Sequence, residues 1–327
     1  MEKTLRWGIL ATGGIAGLFT RDLISSQLSV AAVGSRSLDK ATAFAERFNI
    51  PKAHGSYEEL VKDPDVDIIY VATPHPYHVE AALLALDAGK HILVEKPFTL
   101  NADEAKRIVD RASEKNLVVL EAMWTRFLPH MKRIHEIIDA GTLGELRSVC
   151  AEHRQFLPTD PAHRINAPEL GGGALLDLGI YPISFAFDIL GAPTSITAKA
   201  RFKETGADAE VATVMQHKGG AISTTVSSLD CAGPNVAVIY GSKARIEIAA
   251  TWYIPTTFKV IDYQANIVEE FSETVPSRGM QFQAIEMESL VRTGTASKRM
   301  APADSIAIME TLDVIREQIG LIYPSER

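Results

Sequence analysis

Over the first 122 residues, short apolar runs alternate with stretches of helical period, and nothing else in the chain constrains its fold as much. The apolar runs are Leu5 to Leu10, Leu28 to Gly34, a short one near Lys52–His54, Asp67 to Thr73, His91 to Val94 and Leu117 to Ala122. Between them, helical patterns run through Ile24, from Ser37 to Phe48, and over residues 76–88 and 101–115. Uninterrupted apolar strands are those covered on both faces, as in a parallel sheet. Strands and helices alternating at these lengths predict a doubly wound α/β sheet. With 327 residues, 46% hydrophobic and 23% charged, there is material for roughly two domains of ~150 residues, each with a proper core.

The loops at the ends of these strands carry the chemistry. After the first strand comes Ala11-Thr12-Gly13-Gly14-Ile15-Ala16, which meets the dinucleotide fingerprint G-x-G-x-x-G/A at Gly13 and Ala16 and departs from it at Ala11. Gly13 lets a pyrophosphate approach the backbone, and the helix amino terminus beyond it favours negative charge. The first 122 residues therefore read as a Rossmann nucleotide-binding domain. An acid at the end of the second strand selects NAD. Here Ser35 and Arg36 stand there instead, a hydroxyl and a guanidinium suited to a 2′-phosphate, so NADP is expected, with NAD as the second option. Thr73-Pro74-His75-Pro76-Tyr77-His78 is a proline-stiffened loop at the same edge, placed to lie along the cofactor. Glu95-Lys96-Pro97 ends the fifth strand, so an ammonium arrives where open α/β sheets bind ligands.

After Ala122 the alternation stops. A helix from Phe127 to Ala140 and a strand from Leu146 to Phe156 are followed by Gly171-Gly172-Gly173, which opens a helix running to Leu190. Residues 195–271 read as strand after strand, and helices follow at 277–292 and 302–319. Residues 123–327 are thus expected to form an α+β domain with a large, mostly antiparallel open sheet. Such a sheet needs its outer face covered, which predicts a homodimer or a dimer of dimers. Asp177 and Tyr181 lie four apart and share a helix face. Gly179 between them is costly inside a helix and implies that something approaches closely.

A net charge of −8 argues against nucleic-acid partners. The only cysteines, Cys150 and Cys231, show no metal spacing and fit a reducing cytoplasm. No metal is expected. The amino terminus lacks an apolar signal core, no stretch is read as reaching transmembrane length, and no membrane association is expected.

Together, the Ala11–Ala16 turn, the Glu95-Lys96-Pro97 triplet and the Gly171–Tyr181 segment resemble the glucose–fructose oxidoreductase/inositol dehydrogenase/rhizopine catabolism (Gfo/Idh/MocA) family along essentially the whole chain. That resemblance implies an NAD(P)-dependent dehydrogenase whose substrate is a sugar, polyol or diol. It implies that Lys96, Asp177 and Tyr181 take the catalytic positions near nicotinamide C4, with Asp177 and Tyr181 also meeting substrate and Glu95 and Lys96 at the cofactor. Tyr181, where many members have histidine, together with Glu121–Phe127, is similar to the dihydrodiol and D-xylose dehydrogenase branch. Trp124 and Arg126 of that stretch are taken as substrate contacts; the Trp124 and Trp252 rings are read as faces for a sugar or aromatic ring, with plain core as the alternative. A phenol serves as acid or base when a nearby cation favours its charged form. The alternative is a nucleotide-sensing regulatory protein on the same fold, binding NADP without turnover.

Overall fold

The computed structural model describes residues 4–326. The chain forms two compact units. The first runs to Trp124 and takes in Ser277–Ile306; the second is Thr125–Pro276 with the segment from Ala307 onward.

In the first unit the elements alternate as β1 (Arg6–Leu10), α1 (Gly14–Ser25), β2 (Ser29–Gly34), α2 (Leu38–Phe48), β3 (Lys52–His54), α3 (Tyr57–Lys62), β4 (Ile68–Val71), α4 (His78–Asp87), β5 (His91–Glu95), α5 (Ala102–Lys115) and β6 (Val119–Ala122). The strands form one parallel sheet in the order β3-β2-β1-β4-β5-β6. Every residue of β4 is buried, as the apolar run required. The sheet order reverses direction between β1 and β4, and it is outside the carboxyl ends at such a switch point that open α/β sheets bind ligands. Helix starts follow their caps: Ser37 Oγ accepts from Lys40 N at 3.5 Å and Asn101 Oδ1 from Glu104 N at 3.0 Å.

The segment from Ser277 differs from the single cut expected after residue 122. It carries α8 (Gln281–Thr293) back to the first unit. Met280 N donates to Asp22 Oδ2 at 2.8 Å, the Ser277 hydroxyl donates to Asp22 Oδ1, and Trp7 Nε1 donates to Glu288 Oε1 at 3.0 Å. Buried charged or polar groups of this kind must be paired, and Asp22 and Trp7 Nε1 find these partners in the returning segment.

The second unit holds α6 (Pro129–Asp139), β7 (Leu146–Arg154) and α7 (Ile180–Leu190). Seven strands follow: β8 (Pro193–Phe202), β9 (Asp208–His217), β10 (Ile222–Ser228), β11 (Ala237–Gly241), β12 (Ala244–Ile248), β13 (Phe258–Asp262) and β14 (Ile267–Phe271). Helix α9 (Pro302–Ile319) contains the division between the units. The sheet order is β14-β13-β12-β11-β7-β10-β9-β8, and every pairing is antiparallel except β7 with β10. β7, separated in sequence from the other strands by α7, sits inside the sheet between β11 and β10. Residues 168–190 depart from the expectation that nothing reaches transmembrane length, being long and apolar enough by composition; 83% of the most apolar window is buried in the fold, as a core helix requires.

Candidate active site

In the first unit the sequence-predicted cofactor residues gather at the carboxyl edge of the sheet. Ala11 takes φ +86° and donates its N–H to Gly34 O at 2.9 Å. The turn that the fingerprint gives to glycine is thus made by a residue with a Cβ, at a strain of order 1–3 kcal/mol. Gly13 is the amino-terminal cap of α1 and makes no side-chain cap bond, and the first turn of α1 has no acidic residue. A Cβ built on Gly13 or Gly14 meets nothing within 4 Å. The protein's own packing therefore does not demand these glycines, whereas a pyrophosphate lying on the helix amino terminus would. Thr73 Oγ1 is buried and has no hydrogen-bond partner among the described residues, an orphan that a ligand hydroxyl or amide can satisfy. These features fit a dinucleotide.

At the end of β2, Ser35 is buried and Arg36 exposed. The Arg36 guanidinium lies 6.0 Å from the Tyr77 ring centre. The Tyr57 phenol, pushed up by burial, also takes a hydrogen bond from Arg36. Lys96 follows β5, half-buried, its backbone N donating to Glu95 Oε2 at 3.2 Å.

Two residues expected at the cofactor are turned inward. Glu95 accepts the Tyr70 hydroxyl on its other oxygen, so its carboxylate braces the strand end behind Lys96. His78 is fully buried, with Nδ1 2.9 Å from Pro97 O and Nε2 2.9 Å from Thr73 O, and burial holds its pKa below the usual histidine value. It ties the loop after β4 to the loop after β5. His75, also buried, stands edge-on to it at 5.7 Å.

The second unit positions Asp177 and Tyr181 on one continuous helical segment. Residues Leu175–Gly179 form a single π-helical turn that leads into α7. Such turns recur at functional sites. The glycine run is accounted for by close approaches: a Cβ on Gly172 would lie 2.5 Å from Arg164 O, and one on Gly173, at φ +135°, would lie 1.9 Å from Asp208 Oδ1. Asp208, at the start of β9, accepts from Leu175 N at 2.6 Å and so caps this segment. Burial pushes its carboxyl up to about 6. Gly179 bears out the expected close approach, since its Cβ would meet Ser227 Oγ at 2.9 Å. Arg164 reaches Asp177 Oδ2 at 3.5 Å.

Around Tyr181 stands an aromatic group that the sequence reading missed. His153 of β7 is edge-on to Tyr181 at 5.0 Å, 72° between planes, and stacks on Tyr253 at 3.8 Å. Gln155 Nε2 lies 2.7 Å from His153 Nε2 and donates to the Tyr253 hydroxyl at 3.3 Å. A signal existed for His153, a polar residue on the buried phase of an alternating strand. None existed for Tyr253 or Asp208.

Trp124, Arg126 and Trp252, expected at the substrate, lie in the interior of the fold. Trp124 and Trp252 are 1% and 0% exposed. Trp124 packs its face against the Arg278 guanidinium at 5.1 Å, and Trp252 donates through Nε1 to Glu152 O at 2.7 Å. Arg126 is buried, donates to Ser184 Oγ and O at 3.0 and 2.9 Å, and faces Asp188 at 3.6 Å. All three are interior braces.

Comparison with known proteins places this geometry. Residues 5–123 match an oxidoreductase family with an NAD-binding Rossmann fold, and residues 131–247 match the GFO/IDH/MocA C-terminal domain. Trans-1,2-dihydrobenzene-1,2-diol dehydrogenase of Mus musculus is 38% identical over 333 residues, covering 99% of each chain. D-xylose 1-dehydrogenase (NADP(+)) of Hypocrea jecorina is 36% identical over 98% of this chain and 93% of its own length. In structure the chain resembles the 3-ketoreductase KijD10 of Actinomadura kijaniata, solved with NADP and TDP-benzene. The TM-score is 0.85 at 27% identity, over 97% of this chain and 98% of that one.

Proposed function

The chain belongs to the GFO/IDH/MocA oxidoreductase family, and on that premise we propose that it moves a hydride between NADP and a CH–OH or C=O carbon of a sugar, polyol or trans-diol. The observation that carries this is the likeness, along 98–99% of the chain, to dehydrogenases of a trans-diol and of D-xylose. That likeness also weighs against the sensing alternative. The uncapped amino terminus of α1 at Gly13 and Gly14 is suited to the pyrophosphate, Ser35 and Arg36 to the 2′-phosphate, and the orphan Thr73 hydroxyl to a further polar contact. When bound, the nicotinamide supplies the hydride acceptor or donor.

The protein's own task is then the proton on the substrate oxygen. Tyr181 is assigned to take it during oxidation and to return it during reduction, Asp177 to hold a substrate hydroxyl, and Lys96 to support the transfer electrostatically. Supporting this are the deep seating of the Tyr181 ring against His153 and Tyr253 and the Asp177 carboxylate one turn before it. The test is a panel of D-xylose, other aldoses, inositols and trans-1,2-dihydrobenzene-1,2-diol with NADP and NAD, followed by NADPH absorbance. Reduction of NADP by at least one member is expected; none from any would overturn the assignment.

A second copy of the chain is proposed to cover the open face of the eight-stranded sheet. The pairing register aligns Val214, Thr224, Cys150 and Val238 in one row across four strands, with Ile222 and Tyr240 in the next. Val214, Ile222 and Tyr240 are 52%, 45% and 38% exposed, a patch of the kind that marks an interface. Light scattering should give about two or four times the chain mass of 35.6 kDa, for a dimer or a dimer of dimers; a monomer at micromolar concentration would sink this. We also propose a cytoplasmic location, on a sequence with only two cysteines and no metal spacing between them; fractionation into an oxidising compartment would oppose it.

A further inference from the structure

Gln155 stands where β7 ends, outside any role assigned so far. Its carboxamide nitrogen lies 2.7 Å from His153 Nε2 and 3.3 Å from the Tyr253 hydroxyl. With its amide nitrogen toward the ring, Gln155 offers only protons there, so in this arrangement His153 Nε2 accepts and the ring proton belongs on Nδ1. An imidazolium, with N–H on both sides, would set two donors against each other at that distance. In this arrangement Gln155 selects both the tautomer and the charge of the ring.

That ring is itself confined. It stacks on Tyr253 at 26° between planes and presents its edge to Tyr181. Ser227 of β10 is its partner in the sheet register. The charged neighbours along β7, Glu152 and Arg154, fall on the opposite phase of the strand and bond to each other at 3.0 Å. Asp177, one turn from Tyr181, is met by Arg164.

We propose that Gln155 is a positioning residue: it holds His153 as the uncharged Nδ1–H tautomer, and that ring, wedged between Tyr253 and Tyr181, sets the placement and electrostatic surroundings of the Tyr181 phenol. The proposal rests on the assignment of Tyr181 as the proton-transfer group, but its first test does not. In protein labelled with ¹⁵N-histidine, the His153 resonances, assigned by their loss in His153→Phe, should show the Nδ1–H tautomer; an Nε2–H tautomer would overturn the proposal whether or not any substrate is turned over.

The second test replaces the donor with an acceptor. In Gln155→Glu the carboxylate accepts from Nε2, so the ring takes a second proton and becomes a cation beside the phenol. The pH profile of NADP-dependent turnover, with D-xylose or the trans-diol as substrate, should then move to lower pH by about one unit, the lower end of what a nearby opposite charge produces. In the His153→Phe background the same Glu should cause no shift. An unmoved profile, or a shift that persists without His153, overturns the proposal, since a purely structural role for Gln155 would lower activity at all pH values alike. Circular dichroism on each variant confirms that it is folded.

Discussion

The cofactor edge of the first unit and the tyrosine site of the second are built on opposite principles. The first is made of backbone and of consecutive residues: Ala11 to Ala16, Ser35 and Arg36, and Thr73 to His75 each follow a strand and reach the edge because the strand does. The second is made of side chains drawn from far apart, with His153 and Gln155 on or just after β7, Asp177 and Tyr181 on one helix, Asp208 on β9 and Tyr253 beyond β12. The contrast extends to the glycines. Gly13 and Gly14 face open space, where a ligand is expected, whereas Gly172, Gly173 and Gly179 are pressed against the protein itself. The glycines at the sheet edge leave room beside them, and those beneath the Tyr181 helix serve the packing.

The largest effect should come from the chemistry. Tyr181→Phe should cut turnover by ~10²–10⁴ while leaving NADP binding nearly intact, and Lys96→Met should do similar damage. The double variant should lose far less than the product of the two, because residues that act as one unit are not additive. Near-normal turnover in Tyr181→Phe would reduce the tyrosine to a packing residue.

Next is the contrast between the glycines. Gly173→Ala forces a Cβ onto Asp208 Oδ1 at a backbone φ of +135° and should destabilise the protein by about 2–4 kcal/mol. Gly13→Ala should cost under ~1 kcal/mol in denaturant unfolding yet weaken NADP. Equal destabilisation by both would erase the distinction drawn between the two regions.

Asp208 gives a smaller effect that depends on pH. Its folded pKa of about 6 lies above the ordinary 3.8, because burial outweighs the bonds it accepts. The folded state therefore keeps the proton over a range where the unfolded chain has released it. The resulting stability is fully present below pH ~4 and lost as pH rises through about 6. Measured against Asp208→Asn, which has no such titration, the wild type should lose up to about 3 kcal/mol across that window. A constant difference between the two would mean that the carboxyl is not perturbed.

The smallest effect belongs to cofactor choice. Arg36→Asp should weaken NADP by about 10–100-fold, the worth of a charge-assisted contact, and leave NAD little changed. Equal losses would show that Arg36 does not meet the 2′-phosphate.

The parallel sheet and the residues at its edge were legible because a strand buried on both faces must be apolar throughout and a dinucleotide turn must be small, and both demands are written into consecutive residues. Lys96 was legible for the same reason: Pro97 ends the strand beside it. Asp177 and Tyr181 were legible as a spacing, and Gly179 as a cost inside a helix that had to have a cause. What supports them was not. Whether a tryptophan is wall or core depends on what packs around it, and so Trp124, Trp252 and Arg126 proved to be interior. The return of Ser277–Ile306 to the first unit depends on Asp22 and Trp7 finding partners more than 250 residues away. His153, Gln155 and Tyr253 meet because sheet register and a loop bring them together, and Asp208 reaches the helix start by the path of β9. Local chemistry constrains the backbone within a few residues of itself, whereas the side chains that orient a phenol are chosen by contacts that exist only once the chain has closed.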